Sequence, residues 1–181
     1  MIFGKKCVLT PMTQKDISIT LEWVNDPEYR YWNGTVFPIS EFEHYDFIIN
    51  KVKSPYEKIF MVKKRDDMGS IGFVGIKDAD VINKNCEIYG SIGRLDAEYL
   101  EVPGSTVNIG KGYGTEAFYL LSEFCLYELN LHKVYSKVYA YNDRSYKSFI
   151  KAGFSEEARL KEHHFVHGKY ADLIIMSKRK D

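Results

Sequence analysis

The chain has 181 residues, 45% of them hydrophobic and 15% aromatic, which is enough for one sizeable core and short for two. Its 25 lysines and arginines balance 25 aspartates and glutamates, so no overall field draws in nucleic acid or an anionic membrane surface. One globular domain over residues 1–181 is expected, with neither nucleic acid nor membrane as partner.

The elements are short and alternate in type. "KCVLTPM" reads as a strand stopped by Pro11, and Ile17, Leu21 and Val24 recur at helical spacing from Gln14 to Asn25. Asp26-Pro27 ends that helix, because the residue before proline avoids helical backbone. Ser40 with Glu43 forms a capping box, and Phe42, Tyr45, Ile49 and Val52 give the helix that follows an apolar stripe. "KIFMVKK" and "GSIGFVGIKD" are strands joined by the turn-like "RDDMG", and "CEIYGSIG" is a third. Gly112 to Leu129 is a helix with Ala117, Leu120, Leu121, Phe124, Cys125 and Leu129 on one face. The strand "KVYSKVYAY" leads to a helix "RSYKSFIKA", capped by Asn142 or Asp143 and stopped by Gly153. "RLKEHHFV" and "KYADLIIMSK" then flank His167-Gly168 as a hairpin. This order argues for an α/β fold, a mixed sheet of about seven strands with helices on both faces.

Cys7, Cys86 and Cys125 are odd in number and far apart, which suggests reduced thiols without metal-ligand spacing. No run reaches the roughly 18 apolar residues of a membrane helix, and "MIFGKKCVLT" lacks the apolar centre of a signal peptide. A soluble, cytoplasmic protein without a metal is therefore expected.

"NIGKGYGTEA" sets Gly110, Gly112 and Gly114 directly before the long helix. Glycines let an anion approach the unpaired amides and positive dipole of a helix N-terminus, so the loop reads as a phosphate site, with a simple tight turn as the plainer alternative. The dinucleotide fingerprint fails because Thr115 stands where its last glycine belongs, and the P-loop fails because Gly112 follows Lys111.

"IGKGYGTEA", followed after a helix and a strand by "YNDRSYKSFIKAGF", resembles the Gcn5-related N-acetyltransferase (GNAT) superfamily, and most closely its ribosomal-protein alanine acetyltransferase-like branch. "LEWVNDPEYRYW" and the closing hairpin "EEARLKEHHFVHGKYADLIIMSK" extend the resemblance over nearly the whole chain. Gly112 and Gly114 match the family's Q/R-x-x-G-x-G/A loop, and Ile109 stands where its leading Q/R belongs. The resemblance implies a mostly antiparallel sheet whose fourth and fifth strands splay apart, with acetyl-CoA as co-substrate in the gap. It puts the pyrophosphate on the loop Ile109, Gly110, Lys111, Gly112, Tyr113, Gly114 and Thr115, and the pantetheine arm by Asn142, which is equally a helix cap.

The implied reaction is attack of a primary amine on a thioester. An ammonium with a pKa near 10 is only about a thousandth neutral at pH 7, so a proton acceptor is wanted. Glu87 is the first candidate base, a carboxylate in an otherwise apolar strand, and His164 in the closing hairpin is the second. Alternation sends His163 and His164 to opposite faces, which argues against a metal site with His167. Many members of the family protonate the thiolate with a tyrosine at the position of Phe149. The branch can use a serine where Ser145 stands, with Tyr146 as a neighbouring fallback. A catalytic set of Glu87, Ser145 and His164 follows, with Ser145 also touching the co-substrate.

The insert "RLDAEYLEVPGSTV" separates the Glu87 strand from the glycine loop, where it could extend a hairpin, cover the acceptor or contact a second copy. Tyr29, Tyr31 and Trp32, in what reads as an inter-helix loop, could stack on an acceptor, and Glu41, Glu43 and Asp46 could attract a cation or simply be solvated. The acceptor is expected to be a small-molecule amine such as an amino sugar or antibiotic, or else a peptide N-terminus. A non-catalytic acyl-CoA-binding module is the rival of a different class. Either a monomer or a homodimer fits.

Overall fold

The computed structural model describes residues 1–92, 110–166 and 168–180. The insert 94–107, Ile109 and His167 lie outside the described residues. β1 (Ile2–Phe3), β2 (Cys7–Pro11), β3 (Lys58–Lys64), β4 (Ser70–Asp80) and β5 (Asn85–Ile92) pair in antiparallel succession. β6 (Lys133–Tyr139), β7 (Ser155–Val166) and β8 (Lys169–Arg179) complete an eight-stranded sheet in the order β1-β2-β3-β4-β5-β6-β8-β7. Seven of these are the strands expected from sequence, and the two-residue β1 is the addition.

The join between β5 and β6 is the parallel one, and it is short. β5 stays paired with β4 as far as Ile92, yet meets β6 only where Asn85, Cys86 and Glu87 face Lys133, Val134 and Tyr135. β6 meanwhile keeps its pairing with β8 through Tyr139. Beyond Glu87 the two strands therefore part. The splay expected between the fourth and fifth strands falls here, β1 having moved the count by one.

Strand alternation feeds two cores, one on each face. Val62, Val74, Cys86, Ile88 and Val134 pack under α4 (Tyr113–Glu123) and α5 (Asp143–Lys151), whose Ala117, Leu121 and Phe149 are buried among them. Ile59, Met61 and Phe73 point the other way, toward α1 (Gln14–Asn25), α2 (Pro27–Asn33) and α3 (Glu41–Lys53), and meet Trp23, Val24, Tyr29 and Ile48. All three cysteines are buried and free.

Three local readings change. Residues Pro27–Asn33, expected as an irregular loop, form α2. Asp26 ends α1 but also accepts the Tyr29 amide at 2.9 Å, and Pro27 suits a first helical position, so one Asp-Pro pair both stops and starts a helix. In α3 most of the expected stripe faces solvent, with Phe42 83% exposed and only Ile49 half-buried, while His44 and Ile48 are the buried positions. Beyond α4, residues Phe124–Glu128 form a π-helical turn, marked by the Leu129 amide bonding the Phe124 carbonyl at 3.0 Å. The wider turn rotates the face, so Cys125 and Leu126 are fully buried and Leu129 is exposed. No helix among the described residues is long and apolar enough to cross a membrane.

Candidate active site

The splay opens a cavity of about 1040 Å³ that reaches both faces of the sheet. At one end it is bordered by Gly110, Gly112, Tyr113, Gly114 and Thr115 of the glycine loop and by Asn142, Ser145 and Ser148 of α5. Gly90, Ser91 and Ser136 line the gap itself, and Tyr29, Trp32, His44 and Phe47 line the opposite end. Most of the expected loop residues thus meet in one place, although Lys111 is not among the lining residues.

The glycine loop holds its shape for backbone reasons. Gly110 and Gly112 adopt φ of +79° and +85°, left-handed values that cost an L side chain about 1–2 kcal/mol. Gly112 caps α4, whose first-turn amides have no partner within the helix. A second clamp fixes this helix end. The Glu116 carboxylate accepts the backbone amides of Lys5, Lys6 and Cys7 at 2.9, 2.8 and 2.8 Å. Its partial burial opposes the charge, but the amide donors outweigh that and lower its pKa. The same turn carries Lys6 over the loop, where its Nζ donates to the Lys111 carbonyl at 2.7 Å.

Asn142 caps α5, its side-chain oxygen accepting the Ser145 amide at 3.1 Å, while its Nδ2 donates to the Trp32 carbonyl at 3.3 Å. The cap is thereby tied to α2. Tyr141 makes a parallel tie, donating to the Tyr31 carbonyl at 3.1 Å, and burial lifts its pKa to about 12. Trp32, Tyr31 and Tyr141 pack together, which gives α2 a fixed place at the mouth of the gap. Phe149 is stacked on Phe118 with ring centroids 4.2 Å apart and borders the cavity, where its ring has no proton to give.

Glu87 lies at the root of the splay and borders the cavity, 2% exposed. It is not a free carboxylate. Lys77 Nζ stands 3.0 Å from its Oε1 and Lys137 Nζ 2.9 Å from its Oε2. The bond from Glu87 holds the Lys137 ammonium above the ordinary lysine pKa. His164 is half-buried against Tyr139, with ring centroids 4.3 Å apart, and is not among the residues lining the cavity, while His163 is exposed. Among the described residues, no group of three or more histidines, cysteines or carboxylates is placed to hold a metal ion.

Sequence reasoning did not single out Lys77, Lys137, Glu116 or the buried Thr20–His44 pair. Alternation could have put Lys137 with Tyr135 and Tyr139 on one face of β6, but its meeting with Glu87 depends on strand register.

A glycine loop at a helix cap, a short parallel join and a gap between two strands form one constellation, and residues 6–155 match the family described as "Acetyltransferase (GNAT) domain". The chain belongs to the GNAT acetyltransferases. Among curated relatives, it is 32% identical over 98% of its length to the SPbeta prophage-derived uncharacterized N-acetyltransferase YokL of Bacillus subtilis, covering 92% of that protein. It is 25% identical to the spermidine N(1)-acetyltransferase of Vibrio cholerae, over 78% of this chain and 77% of that one. The GNAT fold is likewise that of the Vibrio cholerae spermidine N-acetyltransferase solved with CoA and spermine. The TM-score is 0.81 at 21% identity, covering 97% of this chain and 96% of that chain.

Proposed function

We propose that the chain, as one acetyltransferase domain over residues 1–181, moves the acetyl group of acetyl-CoA to the primary amine of a small molecule by direct attack through a tetrahedral intermediate. The observation that carries this reading is the continuous cavity from the glycine loop, through the β5–β6 gap, to the aromatic wall of α2 and α3. A thioester bound in the gap supplies the acetyl group. The amides at the start of α4 suit its pyrophosphate, with Lys6 and Lys111 close by as cations. Arg144, Lys147 and Lys151 border the cavity along α5 and suit the further phosphate of CoA.

Ser145 is assigned to hydrogen-bond the departing sulfur, since its neighbour at the cavity wall, Phe149, has no proton to offer. Glu87 is assigned to holding Lys77 and Lys137 in place at the root of the gap, because both its oxygens already face ammonium groups. The amine then loses its proton to water, and His164 takes no direct part.

Glu28, Glu43, Tyr29, Trp32 and Phe47 border the far end, and acids with aromatic faces suit an aliphatic cation. The polyamine named for the similar Vibrio cholerae acetyltransferase, both as a curated relative and as a solved structure, points the same way. Polyamines therefore come first among small amines, ahead of the amino sugars and antibiotics that the sequence alone suggested. The ribosomal-protein alanine acetyltransferase-like branch would instead favour a peptide N-terminus. A thiol-release assay with acetyl-CoA and spermidine, spermine, glucosamine, kanamycin and an alanine-initiated peptide separates these classes. Thiol release with the small amines is expected, and release with the peptide alone would overturn the acceptor class.

A further inference from the structure

Thr20 of α1 and His44 of α3 form a buried polar pair on the cavity wall that no step above uses. Thr20 is fully buried, His44 is 3% exposed, and both border the cavity. The ring Nε2 lies 2.9 Å from Thr20 Oγ1. That hydroxyl oxygen also lies 2.8 Å from the Asp16 carbonyl and 3.0 Å from the Ile17 carbonyl. Two oxygens this close repel unless a proton lies between them, and a threonine hydroxyl has one proton. The proton therefore belongs to the helix carbonyls, and the hydroxyl oxygen is left to accept from the ring. Nε2 then carries the imidazole hydrogen, and Nδ1 keeps a bare lone pair. Burial lowers the pKa of the ring, which favours this uncharged form. Ile48, Ile59 and Phe73 border the same end of the cavity and offer no donor, and the Tyr89 hydroxyl packed beside them is buried without a hydrogen-bond partner, so Nδ1 is not satisfied by it.

We propose that His44 recognises the acceptor: its Nδ1 accepts a hydrogen bond from an N–H group of the amine substrate, and Thr20 fixes the tautomer that makes this possible. The assignment rests on the acyl-transfer reading above and sharpens its substrate class. A donor such as an ammonium or a secondary amine is favoured at this end, whereas a carboxylate meets a lone pair and is excluded.

Two measurements on the full chain test it. Long-range ¹H–¹⁵N spectra of histidine-labelled protein, with the His44 signals identified by their loss in His44→Asn, are expected to show Nε2 protonated and Nδ1 bare. A proton on Nδ1 would overturn the assignment. Steady-state kinetics use spermidine, or whichever amine of the panel releases most thiol. His44→Phe keeps the ring's bulk without an acceptor, and is expected to raise the KM for the amine about tenfold or more with the KM for acetyl-CoA unchanged. His44→Asn, whose side-chain oxygen falls near the Nδ1 position, is expected to recover most of that loss. An unchanged amine KM in His44→Phe, or equal rises for both substrates, would contradict the role. Thiol release with an amine together with an unchanged amine KM in His44→Phe would sink this assignment alone, whereas no thiol release with any amine would sink the acyl-transfer reading and the acceptor role of His44 with it.

Discussion

Glu87 illustrates how partners decide what a residue can do. A carboxylate in an apolar strand reads as a base, but two ammonium groups within 3.0 Å occupy both its oxygens. A base would lose on the order of 10²- to 10⁴-fold in kcat on becoming Glu87→Gln. The positioning role assigned here predicts a smaller loss, with the pH profile unchanged in shape. With water as proton acceptor, kcat/KM for the amine is expected to climb with pH toward the ammonium pKa near 10, without a plateau near neutrality. A plateau below about pH 8 that disappears in Glu87→Gln would restore the carboxylate as base. Ser145→Ala, by contrast, is expected to lower kcat while leaving amine KM unchanged, and full kcat would remove the serine from the chemistry. The loop glycines were legible because their spacing is local, and Ser145, carried over from the family resemblance, borders the cavity. The lysines on Glu87 were not, because they reach it across β4 and β6 by register, and a lone histidine in an amphipathic helix carries no signal of the hydroxyl waiting on another helix.

At the level of elements, the cap of α4 depends on the clamp between Glu116 and the turn leading into β2. Glu116→Gln replaces a charged acceptor of several amides, and is expected to cost about 2 kcal/mol or more at pH 7 in urea unfolding. The native pKa of Glu116 is lowered, so its contribution is complete above the unfolded carboxyl value of about 4.3 and is lost as pH falls through the native value. The gap between variant and parent should therefore close in acid, and a gap that persists would mean that charge is not what Glu116 contributes. Gly112→Ala probes the same helix end, forcing a side chain into φ +85° with its Cβ 3.1 Å from Lys6 Nζ. It is expected to weaken CoA binding in calorimetry more than it lowers stability. Element order and most element boundaries were readable from period and punctuation. What failed was facing: α3 turned most of its expected stripe outward because His44 and Ile48 serve the core, and a π turn rotated the end of the long helix.

Across the whole molecule, function follows from one interruption of the sheet. β5 and β6 share three register positions and then diverge, and the cavity made by that divergence links the helix cap on one face with α1, α2 and α3 on the other. The family and its fold could be read from motif order alone, whereas the acceptor end could not, since it is assembled from α1, α2, α3 and strands β3 and β4 with no shared motif. The most direct test of the central claim is thiol release from acetyl-CoA by the purified chain in the presence of spermidine. Thiol released in step with acetylated amine, and saturable in both substrates, is the predicted result. No thiol release with any amine of the panel, or no CoA binding by calorimetry, would contradict it.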